Sequence, residues 1–228
     1  MTPVPGPRTR DALLEQGALL FARHGVARVT ARQLHEAVGA RNESALHYHF
    51  GNIDGLVAEI VRHHVAEVEV RRAPLVDAIV DAGLTDDLRA LVRALAVPMS
   101  EDLDTPIGRA HLRIVAQVSH PALAYEMPFR VSEAPAGTAV VRWLWHALDA
   151  LPDAIRTERL ALLRAQLISG FGLRAQLLDD QPSADEPAPV PTPLFVENLV
   201  DVIVAGLRVD PSAEALAVTP RRRRTAHP

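Results

Sequence analysis

The chain has 228 residues, 48% of them hydrophobic, enough for one sizeable core and a smaller second one. Its 24 basic residues, every one an arginine, stand against 28 acids, and there is no cysteine, which excludes disulfide scaffolds, zinc–thiolate sites, thiolate nucleophiles and thiol redox switches. The opening stretch from Met1 to Arg8 carries no apolar run, and no segment approaches the roughly 18 apolar residues of a membrane span, so a cytoplasmic protein is expected.

Val and Ile recur at spacings of three and four rather than two, which predicts an all-α fold. Residues 1–7 read as a disordered arm. Leu13, Leu14, Ala18, Leu20 and Phe21 then form one helical stripe that ends at His24-Gly25, where glycine supplies a left-handed cap. Thr30-Ala-Arg-Gln33 has the capping-box spacing of a hydroxyl followed three residues later by Gln. Leu34, Ala37 and Val38 give the short second helix its buried face, and Gly39 closes it. Asn42 can cap a third helix running to about His49. Three helices of this size, with a glycine-bearing turn between the second and third, predict a helix-turn-helix domain over residues 8–53.

From residue 54 to 210 the pattern predicts a helical bundle. Leu56, Val57, Ile60, Val61, Val65 and Val68 share a face, and Pro74 predicts a kink or break before Leu75, Val76, Ile79 and Val80 resume it. Further helices are expected at roughly 85–97, 106–119, 121–131, 138–150, 154–178 and 194–208. The segment 181–193 holds five prolines in thirteen residues and reads as a solvated loop. Residues 211–228 read as a disordered basic tail.

The net charge of −4 hides an uneven distribution. Residues 1–50 hold six Arg against four acids, residues 51–220 fourteen Arg against twenty-four acids, and Arg221 to Arg224 close the chain. A mildly basic head therefore sits on a strongly acidic body, which turns only the head towards a polyanion.

The run Leu20-Phe-Ala-Arg-His-Gly25, then Thr30, Leu34, Gly39 and Ala45-Leu-His-Tyr-His-Phe50-Gly-Asn-Ile-Asp-Gly-Leu56, resembles the N-terminal domain of TetR/AcrR-family transcriptional regulators. The resemblance spans about residues 8–60; the remainder matches in helical character and length. It implies a DNA-binding head whose third helix enters the major groove. Leu46 and Phe50, four apart, form the inward face of that helix, leaving Glu43, Ser44, His47 and Tyr48 exposed. The family's contacts just before the terminal Phe map onto His47, Tyr48 and His49. Thr30 falls where a helix N-terminus can meet a phosphate. Arg8, Arg10, Arg32, Arg41 and Asn42 complete the DNA-binding set. Glu43 either accepts from a cytosine amino group or simply favours a helix N-terminus. The turn from Gly39 to Asn42 is one residue longer than the family pattern, and Ile53 stands where a basic residue is common. His24 and His35 read as surface or capping residues.

One short recognition helix makes few base contacts, so two half-sites and a homodimer are expected. Leu160, Leu163, Leu167, Phe171 and Leu178, followed by Phe195, Leu199, Val202 and Ile203, are the candidate dimerisation stripes of the last two long helices; intrachain core is the competing reading of the same stripes. Four of the nine aromatics fall between Tyr125 and Trp145. Met99, His111, Tyr125, Met127, Phe129, Arg142 and Trp143 are the candidate lining of a small-molecule site, ordinary core being the alternative. The helix that begins near Asp54 is the expected mechanical link between head and body. No cofactor and no metal is expected: His47 and His49 point to different sides of a helix, and no His-Glu-x-x-His pattern occurs.

The residues thus predict a homodimeric, ligand-responsive regulator, a repressor of a palindromic DNA operator, with an unidentified effector. An architectural DNA binder using Arg221–Arg224 and a helical enzyme are the competing classes. The acidic body opposes the first. The absence of a metal motif, a Gly-rich phosphate loop and a nucleophile triad opposes the second.

Overall fold

The computed structural model describes residues 7–39, 44–119, 134–180 and 188–219. The described residues form helices and no strand. The expected helix at 121–131, the turn at 40–43, most of the Pro-rich segment and Arg221–Arg224 lie outside them.

The head consists of α1 (Pro7–His24), α2 (Ala31–Ala37) and α3 (Ser44–Phe50). Gly25 ends α1 with φ of 89°, a conformation that only glycine adopts without strain. The capping box is present at α2: the Thr30 hydroxyl accepts from the Gln33 amide, and the Gln33 side chain accepts from the Thr30 amide at 2.9 Å. Asn52 then caps α4 (Ile53–Asp81) by accepting from Gly55 N–H at 2.8 Å. Gly55 lets α4 start hard against the end of α3, because a Cβ there would sit 1.9 Å from the Phe50 carbonyl oxygen.

The body continues with α5 (Leu88–Ser100), α6 (Pro106–Val118), α7 (Pro135–Ala147), α8 (Asp153–Asp179) and α9 (Thr192–Arg208). Short 3-10 turns at Val26–Arg28 and Glu101–Asp104 join α1 to α2 and α5 to α6. A further short helix, α10 (Ala213–Ala217), occupies part of the tail expected to be disordered; Ser212 caps it by accepting from Ala215 N–H at 3.1 Å. The expected break at Pro74 does not occur, and α4 runs through it for 29 residues. The carbonyl that loses its helical donor is that of Val70, a residue 75% exposed, so solvent can satisfy it.

Two apolar clusters result. The head cluster joins Leu13, Phe21, Leu34 and Leu46 to Leu56, Ile60 and Val61 of α4 and to Ala110, Ile114, Val115 and Val118 of α6. The body cluster joins α5, α6, α7, α8 and α9 around Leu91, Leu112, Leu144, Phe171 and Ile203. Helix α6 approaches α8 so closely that a Cβ on Gly172 would lie 2.5 Å from the Ala116 Cβ. The head therefore shares its core with two body helices, α4 and α6. The sequence pattern pointed to the first alone.

Candidate functional site

Helix α3 divides as its sequence predicts. Ala45 and Leu46 are buried in the head core, whereas Tyr48 is 63% exposed and His47 is exposed beside it. The His47 ring is steadied by a 2.7 Å contact between Nδ1 and the Gly51 carbonyl. His49 takes a different position: half-buried, it lies edge-on to Tyr48 with ring centroids 5.0 Å apart, and its buried Nε2 has no partner among the described residues.

Of the flanking candidates, Arg8 and Thr30 are exposed. Arg32 extends into solvent in an i,i+4 ion pair with Glu36 at 2.7 Å. Arg10 is drawn inward, paired with Glu59 of α4 and placed over the Phe50 ring with its guanidinium carbon 5.7 Å from the centroid. It locks α1 onto the α3–α4 junction instead of standing out towards a ligand. Ser44 opens α3, while Arg41, Asn42 and Glu43 lie outside the described residues. His35, expected at the surface, is buried, and its Nε2 has no hydrogen-bond partner among the described residues.

A capped second helix, a short third helix with an exposed aromatic, and a shared core that fixes both are the parts of a helix-turn-helix reader. Residues 13–60 match the family described as bacterial regulatory proteins, tetR family. The head is a TetR-family DNA-binding domain. No curated protein matches the chain. With this head the chain is a DNA-binding transcriptional regulator, and its fold is an N-terminal helix-turn-helix followed by a helical C-terminal domain.

The helical body carries a half-open cavity of about 510 Å3. Its wall is mostly apolar, with Val65 and Val68 of α4, Leu95 and Met99 of α5, and Leu160, Leu163 and Leu167 of α8 among the residues that form it. The polar groups in the wall come chiefly from α4. Glu69 accepts from the amides of Ala136 at 2.8 Å and Gly137 at 3.1 Å, and it pairs with Arg72. It thereby caps α7, whose own N-cap residue, Ala134, has no side-chain acceptor. Arg72 also donates through Nε to the Ala94 carbonyl at 3.1 Å. Burial lowers the Arg72 pKa, and the Glu69 charge opposes that shift.

One residue of the wall, His64, belongs to a buried cluster. His64 packs against His111 with ring centroids 5.5 Å apart, and its Nδ1 is 3.5 Å from Asp102 Oδ2. Arg71 donates to both oxygens of Asp102, at 2.8 and 3.0 Å. Desolvation pushes the Asp102 carboxyl up to about 6, although Arg71 acts in the other direction. Burial drives His64 down to about 3 and His111 down to about 4.

Only part of the predicted lining meets at this cavity. Met99 is in the wall, and His111 sits behind it against His64. Arg142 is exposed and Trp143 packs on the body core, so neither lines it. Tyr125, Met127 and Phe129 lie outside the described residues. Sequence reasoning missed His64, Glu69 and Arg72. Their signal was three polar residues interrupting the apolar face of α4.

The dimerisation stripes require correction. Leu163, Leu167, Phe171 and Ile203 are buried in the body's own core, and Leu160, Leu178, Phe195 and Leu199 pack against it. Leu160, Leu163 and Leu167 also line the cavity. Of the nine candidates Val202 alone is exposed, at 52%. The stripe recorded burial inside the subunit. The outer face of the same two helices carries a second, weaker apolar set: Leu162 at 61%, Leu173 at 60%, and Leu177 and Leu194 about half exposed.

Proposed function

We propose that the protein is a homodimeric repressor that leaves a palindromic operator when a small molecule occupies the cavity of its body. The observation that carries the reading is one helix serving two cores. Val115 of α6 lies in the head cluster and in the cavity wall, and two residues on, the Gln117 side chain accepts from the Val26 backbone N–H at 2.9 Å. A ligand that fits the cavity better with α6 displaced favours a head position unsuited to DNA, by as much as its affinity for the two states differs.

On the DNA side, His47, Tyr48 and Thr30 are the exposed contacts, assisted by Arg8, Arg32 and the candidates Arg41, Asn42, Glu43, Ser44 and His49. Arg10 serves the head's integrity. On the dimer side, Leu162, Leu173, Leu177, Leu194 and Val202 replace the buried stripes as the surface for a second copy, since an apolar face of this kind is what a four-helix subunit interface requires. The domain limits follow as 8–53 for the reader and 54–210 for the sensor, within a cytoplasmic protein. A nuclease footprint on the DNA adjoining its own gene, repeated with candidate metabolites, tests the reading: a two-fold symmetric footprint that one metabolite erases supports it. A footprint that no cavity-binding compound alters removes the sensor from it.

A further inference from the structure

The cavity wall has an uneven supply of polar groups. Glu69 and Arg72 are bound to each other, and the remaining contacts of Glu69 go to α7 amides. The Thr138 hydroxyl donates to the Ala134 carbonyl at 2.7 Å. Arg164, also of the wall, is exposed and offers its charge only at the rim. His64 is different. Its side chain is 4% exposed, it forms part of the wall, and it makes no hydrogen bond among the described residues.

The orientation of its ring fixes what it can accept. Nδ1 faces Asp102 Oδ2 at 3.5 Å, too far and poorly placed for a hydrogen bond but close enough to decide the tautomer. A lone pair on Nδ1 would confront a carboxylate oxygen, so the proton sits on Nδ1 and the lone pair on Nε2. Burial, reinforced by His111, Arg71 and Arg72, keeps the ring neutral at physiological pH. Among the described residues the wall therefore holds one buried ring acceptor without a donor, set among apolar side chains, the Glu69–Arg72 pair and Arg164 at the rim.

We propose that the cavity takes an uncharged, largely apolar molecule that donates one hydrogen bond, from a hydroxyl or amide N–H, to Nε2 of His64. This rests on the reading of the cavity as the effector site and names the chemistry of the effector. A ligand with an acceptor only would set two lone pairs against each other. A carboxylate would be desolvated beside Glu69 with its counter-ion confined to the rim.

Calorimetric titration of the full chain with decan-1-ol, 1-methoxynonane and decanoate tests the proposal, because the three share a flexible chain and differ in donor and charge. Decan-1-ol is expected to bind about tenfold or more tightly than either of the others, the difference that one hydrogen bond to an acceptor in an apolar wall produces. His64→Leu should bring the alcohol and the ether within about twofold of each other while leaving the ether's affinity close to its wild-type value. Val141→Trp, at the exposed rim of the cavity, should weaken all three. Equal affinity of the wild type for alcohol and ether, or a preference for decanoate, overturns the donor chemistry and leaves the cavity as a binding site. Binding of none of the three, or binding that Val141→Trp does not weaken, overturns the cavity reading as well.

Discussion

Tyr48 concentrates the DNA-binding argument at a single residue. It is a large aromatic on a seven-residue helix whose neighbours Ala45 and Leu46 are buried, yet its own side chain is mostly in solvent. Exposure on that scale gives the fold little, so Tyr48→Ala should leave the melting temperature within about 1–2 °C while weakening operator binding roughly tenfold or more; thermal melts and gel-shift titrations measure both. The buried cluster behind the cavity leads to a pH prediction. His64 and His111 have folded pKa values of about 3 and 4, below the ordinary 6.5, so their contribution to stability is present above pH 6.5 and is lost as pH falls. Asp102, raised to about 6, acts oppositely: its contribution is present at low pH and lost as pH rises through 6. Between pH 6.5 and 4 two histidines outweigh one carboxyl. Stability should fall on acidification from pH 7 to 5, by roughly 2 kcal/mol per histidine less the Asp102 offset. Urea unfolding at both values checks it, and replacing both histidines with Leu should flatten the slope.

At the scale of elements, the sequence made the head legible because its signals are local. Thr30 and Gln33 are three residues apart and close one capping box; Gly25 ends one helix. The body was legible as helices but not as a site, because its decisive contacts join distant elements. Glu69 on α4 caps α7 across 67 residues, which no local pattern encodes. Its loss should be severe: Glu69→Gln leaves Arg72 buried without its counter-ion and weakens the cap on α7. A loss of about 3 kcal/mol is expected, since one partner of a buried ion pair is removed, with a lower urea midpoint and increased proteolysis at the start of α7 as the readouts. The dimerisation stripes show the other limit of periodicity. Leu163, Leu167 and Phe171 repeat at helical spacing because something covers them, but spacing does not say whether that is the same subunit or another. Pro74 shows that a helix breaker read from sequence gives way where solvent can meet the carbonyl left over.

For the whole molecule, charge and packing assign the two ends different work. The body holds the excess of acids, and the head presents the exposed side of α3. The outer apolar face of α8 and α9 has the composition of a subunit contact, so a double substitution Leu173→Glu with Val202→Glu should convert a sedimenting dimer to a monomer without unfolding it, and should lower operator affinity by at least about tenfold through loss of the second half-site. An unchanged sedimentation coefficient would place the interface elsewhere. The central claim is that this chain reads a specific DNA sequence, and the direct measurement is its affinity for the footprinted segment beside that for random duplex at about 150 mM salt, where non-specific phosphate attraction is screened. A preference of about a thousandfold or more is expected, lowered roughly tenfold or more by Tyr48→Ala; equal affinity of the wild type for the two duplexes would contradict sequence-specific reading.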